Sequence, residues 1–246
     1  MDALIDHAVE ILEGGSGLLL SAEHASNHIP APLQVSADDR PWLDTHWAWD
    51  PGAPAVVRHL VQACDATAVL SRFSRLVCDP NRSADDPTWI VGHIEGHDLS
   101  FNRRVRPDER RRRHETYYAP YHAALDVAAS VCAQRAHPFL LSVHSFTPTY
   151  MGQARDMELG ILFDDHEELA EAFRAALSDQ GFAVAMNAPY SGRNGRMYSA
   201  TRHGSGNGMP YLELELRQDL ASDHRAWIQV AERVLSALRA ADLVRP

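Results

Sequence analysis

The sequence predicts an α/β fold in which helices cover the faces of a mostly parallel sheet. Two observations carry this. Short apolar runs alternate with longer amphipathic ones along the 246 residues, the pattern left when helices shield both faces of a sheet. No linker, repeat or low-complexity stretch divides the chain, so a single domain over residues 1–246 is expected, and 45% apolar composition is enough for one sizeable core.

The expected strands are Gly17 to Ala22, Ala66 to Ser71, Arg75 to Cys78, Phe139 to Val143, Glu158 to Phe163, Phe182 to Ala185 and Pro210 to Leu216, each ended by polar residues, Gly or Pro. Helices are expected over Ala3 to Glu13, Ala53 to Cys64, Asp108 to Arg135 with a break before Pro120, His166 to Gln180, and Asp223 to Ala241. Two segments, Pro80 to Pro107 and Met186 to Met209, lack periodicity and read as long functional loops.

Composition narrows the chemistry. The net charge of −10 argues against general nucleic-acid binding. All 23 basic residues are arginine, which excludes Schiff-base and lysine-base catalysis and the phosphate-binding Walker lysine. Cys64, Cys78 and Cys132 are too few and too widely spaced for a disulfide framework or metal knuckle, so they read as small core residues in a reducing setting. No basic leader or long apolar run is present, and the chain is expected to be cytoplasmic with no membrane contact. The run from Arg103 to Arg113 holds seven arginines interrupted by a helix start at Pro107-Asp108-Glu109, after which Arg110 to Arg113 point around the helix, and it reads as a solvated helix face.

Two strands deliver the same residue types. Leu18-Leu19-Leu20-Ser21-Ala22 runs into Glu23-His24, and Phe139-Leu140-Leu141-Ser142-Val143 runs into His144-Ser145. Ligands of open α/β sheets bind at the carboxyl ends of strands, so a shared metal is expected there. Asp44-Thr45-His46-Trp47-Ala48-Trp49-Asp50 adds a third cluster, and three His or carboxylate ligands with one open position is the arrangement of hydrolytic zinc. Asp50 also reads as a helix cap. Tyr211 to Arg217 alternates strictly, placing Glu213, Glu215 and Arg217 on one face, with Glu215 where a general base for a metal-activated water would stand. Arg75, Asn81 and Arg82 flank a short apolar run, and Arg can hold a carboxylate through two parallel hydrogen bonds.

These motifs resemble those of the N-formylglutamate amidohydrolase family: His24-x-x-Asn27-x-Ile29-Pro30, Asp44-x-His46-x-x-x-Asp50-x-Gly52-Ala53, Ser74-Arg75-Leu76-Val77-x-Asp79-x-Asn81-Arg82, Pro120-Tyr121-His122 and Glu213-x-Glu215-x-Arg217, in order over about residues 17 to 220. That family is similar to the zinc carboxypeptidases and aspartoacylase, which implies a three-layer sandwich, its mixed, mostly parallel, zinc carboxypeptidase-like sheet flanked by helices, and one zinc ion per chain. Asp79-Pro80-Asn81-Arg82 is similar to their substrate-carboxylate motif, Phe139 to Phe146 to a zinc-ligand strand, and Glu215-Leu216-Arg217 to the segment with the catalytic Glu. Asn27 stands where those enzymes carry a ligating Glu, which leaves the third ligand open.

The resemblance implies hydrolysis of an N-formyl or other N-acyl amide of an acidic amino acid such as N-formylglutamate. His24, His46 and His144 are the implied zinc ligands, with Glu23, Asp44 and Asp50 as alternatives to His46. Glu215 is the implied general base and Arg75 the oxyanion donor. Asn81 and Arg82 are implied to hold the substrate carboxylate, with His203 a further contact, and Arg193, Arg196 and Arg202 are sources of a second cation. A zinc exopeptidase or deacylase for another N-acyl amino acid or short peptide, and a non-catalytic metal or metabolite binder, are the alternative readings.

Overall fold

The computed structural model describes residues 8–245. Its sheet strands are β1 (Val9–Leu12), β2 (Leu18–Ala22), β3 (Thr67–Ser71), β6 (Phe139–Phe146), β9 (Leu159–Leu162), β10 (Val184–Met186) and β11 (Tyr211–Arg217), in the spatial order β1-β3-β2-β6-β11-β9-β10. Two small hairpins supply β4 (His93–Ile94) with β5 (His97–Asp98), and β7 (Thr149–Tyr150) with β8 (Gln153–Ala154). The central strands β3, β2, β6 and β11 are parallel; β1 runs antiparallel to β3 and β9 antiparallel to β11, with β10 parallel to β9, which makes the sheet mixed.

Six helices cover it: α1 (Ala53–Cys64), α2 (Pro107–Arg113), α3 (Ala119–Cys132), α4 (Glu167–Asp179), α5 (Tyr198–Gly206) and α6 (His224–Ala240). Leu18 and Leu20 of β2, Val143 of β6 and Leu212, Leu214 and Leu216 of β11 pack beneath α1, α4 and α6. The opposite face buries Leu19, Val69 and Leu140 against Tyr121 and Leu125 of α3. Truncating any of the three β11 leucines to Ala is expected to cost about 2–5 kcal/mol. The other face of β11 carries Glu213 and Glu215, both buried. Burying carboxyls against the demands of the core marks a site.

Four readings are corrected. Val9–Leu12, placed in a helix over Ala3 to Glu13, is the edge strand β1, its alternation sending Val9 inward and Glu10 to an ion pair with Arg58; positions 3–7 of that helix lie outside the described residues. Arg75 to Cys78 is a turn, which frees Arg75 to leave the core. The stretch Met186 to Met209 contains α5. The break before Pro120 is a π-helical segment, His114–Tyr118, which joins α2 to α3 where proline lacks its N–H.

The arginine run is only partly solvated. Arg113 is 0% exposed, ion-paired with Glu109, and donates to Val77 O at 2.8 Å, Asn102 Oδ1 at 2.6 Å and Phe101 O at 2.9 Å. It thereby clamps the turn that presents Arg75 and Asp79. Cys78 and Cys132 are buried and Cys64 half-buried, all three as free thiols. Among the described residues no helix is long and apolar enough to cross a membrane.

Candidate metal centre

Register brings the site together. β2 and β6 pair in parallel up to Ser21 and Ser142, so the residues that follow on each strand emerge side by side, and the rings of His24 and His144 meet edge to face at 4.7 Å. β11 continues the layer, pairing Glu213 with Ser142 and Glu215 with His144. Asp50 arrives from the loop before α1, tied down by its own N–H donating to His24 O at 2.9 Å. Gly52, at φ 89°, then turns the chain into α1 against Trp227, where a Cβ would lie 2.3 Å from the indole ring. The Asp50 side chain makes no cap to α1.

Three atoms converge: His24 Nδ1 lies 3.2 Å from Asp50 Oδ2, His144 Nδ1 lies 2.8 Å from the same oxygen, and the two nitrogens are 3.0 Å apart. The outer nitrogen of each ring faces a carboxylate. His24 Nε2 is 2.7 Å from Asp79 Oδ1, and His144 Nε2 is 3.1 Å from Glu23 Oε2. Those carboxylates are themselves fixed, Asp79 by Arg75 Nη2 at 2.7 Å and the Asn81 N–H at 2.9 Å, Glu23 by Ser142 Oγ at 2.8 Å and the Tyr121 hydroxyl at 3.2 Å. An imidazole whose outer nitrogen donates to its carboxylate turns the lone pair of its inner nitrogen towards the cluster, so two nitrogens and a carboxylate oxygen are placed to face one ion. Such an arrangement calls for a cation. The spacing is close to the roughly 3.3 Å that separates tetrahedral ligands held at about 2.0–2.1 Å, and an N,N,O donor set backed by carboxylates suits zinc.

The electrostatics agree. Burial works against charge on Asp50, Glu23 and Asp79, yet the histidines, and Arg75 beside Asp79, outweigh it and hold all three carboxyls well below the usual range. Burial likewise opposes charge on His144, but Glu213, Asp50 and Glu23 prevail and raise its pKa well above the usual value. The surroundings draw positive charge to the point where the three donors meet.

The cluster floors a cavity of about 450 Å3 lined also by Arg75, Glu213, Glu215, Arg82 and Arg196, with Trp47, Phe146, Tyr150 and Tyr190 among its aromatic walls. Burial pushes Glu213 up to about 8 and Glu215 up to about 7, neighbouring carboxylates adding to it and His144 opposing. Among the described residues Glu215 Oε2 is buried with no hydrogen-bond partner, and this side chain lines the cavity. Arg75 Nη1 lies 3.1 Å from His24 Nδ1, at the rim of the cluster.

Two expected positions are corrected. His46 lines the cavity but packs its ring on Trp47 and stands outside the converging group, whose third member is Asp50. His203 does not reach the cavity: α5 turns it inward, where it lies 2.8 Å from His122 and 2.7 Å from Asp126 across the α3–α5 contact. Asn81 does line the cavity, yet its amide is engaged within the protein, donating to Glu213 Oε2 and Arg196 O at 3.3 Å each and accepting from the Ser199 N–H at the start of α5. Arg82 lines the cavity with no carboxylate on its guanidinium, whose Nη1 donates to Asn81 O. Of the three loop arginines only Arg196 reaches the cavity; Arg193 pairs with Glu167, and Arg202 lies beside Asp126.

Sequence reasoning missed the orienting role of Asp79, for which no local signal exists, and held Glu23 as an alternative ligand to His46, whereas it lies against the outer nitrogen of His144. The profile of a family described as N-formylglutamate amidohydrolase matches residues 16–222. Among solved structures, a gene product from Agrobacterium tumefaciens is 33% identical, with a TM-score of 0.86 over 98% of this chain and 97% of that one. The N-formylglutamate amidohydrolase from Ralstonia eutropha is 22% identical, with a TM-score of 0.73 over 97% of this chain and 98% of that one. No curated protein sequence matches.

Proposed function

The chain belongs to the N-formylglutamate amidohydrolase family and is a hydrolase of amide C–N bonds, and on that premise we propose that it removes the N-formyl group from an acidic amino acid such as N-formylglutamate at a zinc site held by His24, Asp50 and His144. The observation that carries this reading is the meeting of His24 Nδ1, His144 Nδ1 and Asp50 Oδ2 beside Glu215, whose buried Oε2 has no partner among the described residues.

A bound zinc ion would lower the pKa of a water to about 7 and polarise the amide carbonyl. Glu215 takes a proton from the attacking water and passes it to the amine nitrogen as the C–N bond breaks, a shuttle suited to a carboxyl raised to about 7. The Arg75 guanidinium donates to the oxygen that gains charge. Arg82 and Arg196 hold the substrate's carboxylates, which lets an acidic protein select an anion. Asn81 acts one step back, fixing Glu213 and the start of α5.

The aromatic wall of Trp47, Phe146, Tyr150 and Tyr190 favours a second reading, hydrolysis of an N-acyl amino acid with an apolar side chain. Formate or carboxylate release from a panel of N-formyl and N-acetyl amino acids, with and without chelator, tests both. Chelator-sensitive turnover greatest on N-formylglutamate supports the first; preference for N-formylphenylalanine or N-formylleucine supports the second; no turnover on any member contradicts both.

A further inference from the structure

Glu115, Ala119, Ala123, Val127, Val131 and Arg135 recur at every fourth residue along α3, the π-helical turn before it and the turn after it. Side chains four apart stack into one ridge of a helix. All six line a single surface groove of about 720 Å3 between α3 and the outermost strand β1. The groove is apolar and open: Val127 is 67% exposed, Val131 48% and Ile11 of β1 42%. These are three of the six large apolar side chains that the described residues leave exposed; the others, Tyr150, Met151 and Tyr190, belong to the hairpin and loop beside the metal cavity. A clustered patch of this kind, unlike a lone exposed valine, marks a contact surface.

The order of residues along the ridge says what covers it. From one end it reads acid, small, small, large, large, base. Laid antiparallel against a second copy about a two-fold axis near position 125, it sets Ala123 against Val127 and Ala119 against Val131, bulk into room, and Glu115 against Arg135. Neither end charge meets a counter-charge among the described residues. Glu115 pairs with no cation among the described residues, and Arg135 Nη1 donates to the carbonyls of Gly14 and Ser16 and to Thr67 Oγ1, with no carboxylate. A parallel arrangement would oppose like charges.

We infer that this face joins two copies of the chain in an isologous dimer, α3 against α3 in antiparallel sense, the ridges of one helix packing into the grooves of the other. The inference is independent of the metal site and of the substrate.

Sedimentation velocity on the full chain over roughly 1–100 µM tests it. The wild type is expected to sediment as a dimer, and Val127→Arg, at a solvent-facing position, as a monomer with unchanged circular dichroism, melting temperature and hydrolytic activity. Glu115→Arg is expected to raise the dissociation constant about tenfold by opposing Arg135 at both symmetric contacts. A monomeric wild type over the whole range overturns the proposal, as does a dimer that Val127→Arg leaves intact. Dissociation by Val127→Arg with no weakening by Glu115→Arg overturns the antiparallel pairing.

Discussion

Glu215 and His144 are direct register partners across the parallel pair β6–β11, so a single backbone ladder fixes the distance between a cavity-facing carboxyl and a member of the metal cluster. A site built on adjacent central strands is held more rigidly than one assembled from loops. Glu215→Gln keeps the shape and removes the proton shuttle. Turnover is expected to fall about 10²–10⁴-fold with metal content unchanged, as read by steady-state kinetics and elemental analysis of the same preparation. Retained turnover would remove Glu215 from the chemistry.

The orienting carboxylates predict a graded effect on metal affinity. Asp79→Asn and Glu23→Gln leave all three converging atoms in place but weaken the acceptor behind each ring. Chelator competition is expected to show metal binding weakened about 10–100-fold in each. Wild-type affinity in both variants would deny them that role.

Arg82 and Arg196 are expected to bind ground state and transition state alike. Replacing either by Ala should raise KM about tenfold or more, with kcat little changed. A fall in kcat at constant KM would place that arginine in the chemistry instead.

Glu213 gives a pH signature in the metal-free protein. Its folded pKa, about 8, lies above that of an ordinary Glu, so between those values the folded chain holds a proton that the unfolded chain has released. Stability from this group is present at low pH and lost as pH rises towards 8, at about 1.4 kcal/mol per pH unit. Denaturant melts of wild type and Glu213→Gln at pH 5.5 and 7.5 read Glu213 together with the His144 it faces: the stability of the variant relative to wild type should improve at the higher pH. A difference that does not change with pH would contradict the assignment.

Arg113→Met tests the clamp under the turn of Arg75 and Asp79. It strands Val77 O, Asn102 Oδ1 and Phe101 O and takes one of its two arginines from Glu109, which keeps Arg112. A loss of about 3–5 kcal/mol is expected in equilibrium unfolding, whereas Arg106→Met, on the solvated side, should change stability by only about 0–1 kcal/mol.

Much of this was readable in the sequence where local pattern and fold agree. The strict alternation of Tyr211 to Arg217 became β11, and the apolar runs ending in His24 and His144 became neighbouring parallel strands. β1 escaped because four residues are too few to separate a strand from the end of a helix. α5 escaped because its glycines dilute the helical pattern; Gly204 is there for close approach, since a Cβ on it would lie 2.3 Å from Tyr211. The choice of Asp50 over His46 is set by a backbone hydrogen bond to His24 and by the turn at Gly52, neither of which leaves a trace in residue spacing.

The central claim is that His24, Asp50 and His144 hold a catalytic zinc. Elemental analysis of wild type, Asp50→Ala and His46→Ala tests it most directly. One zinc per chain is expected in wild type and His46→Ala, and loss of it in Asp50→Ala. Zinc kept in Asp50→Ala and lost in His46→Ala, or no metal in the wild type, would contradict the account.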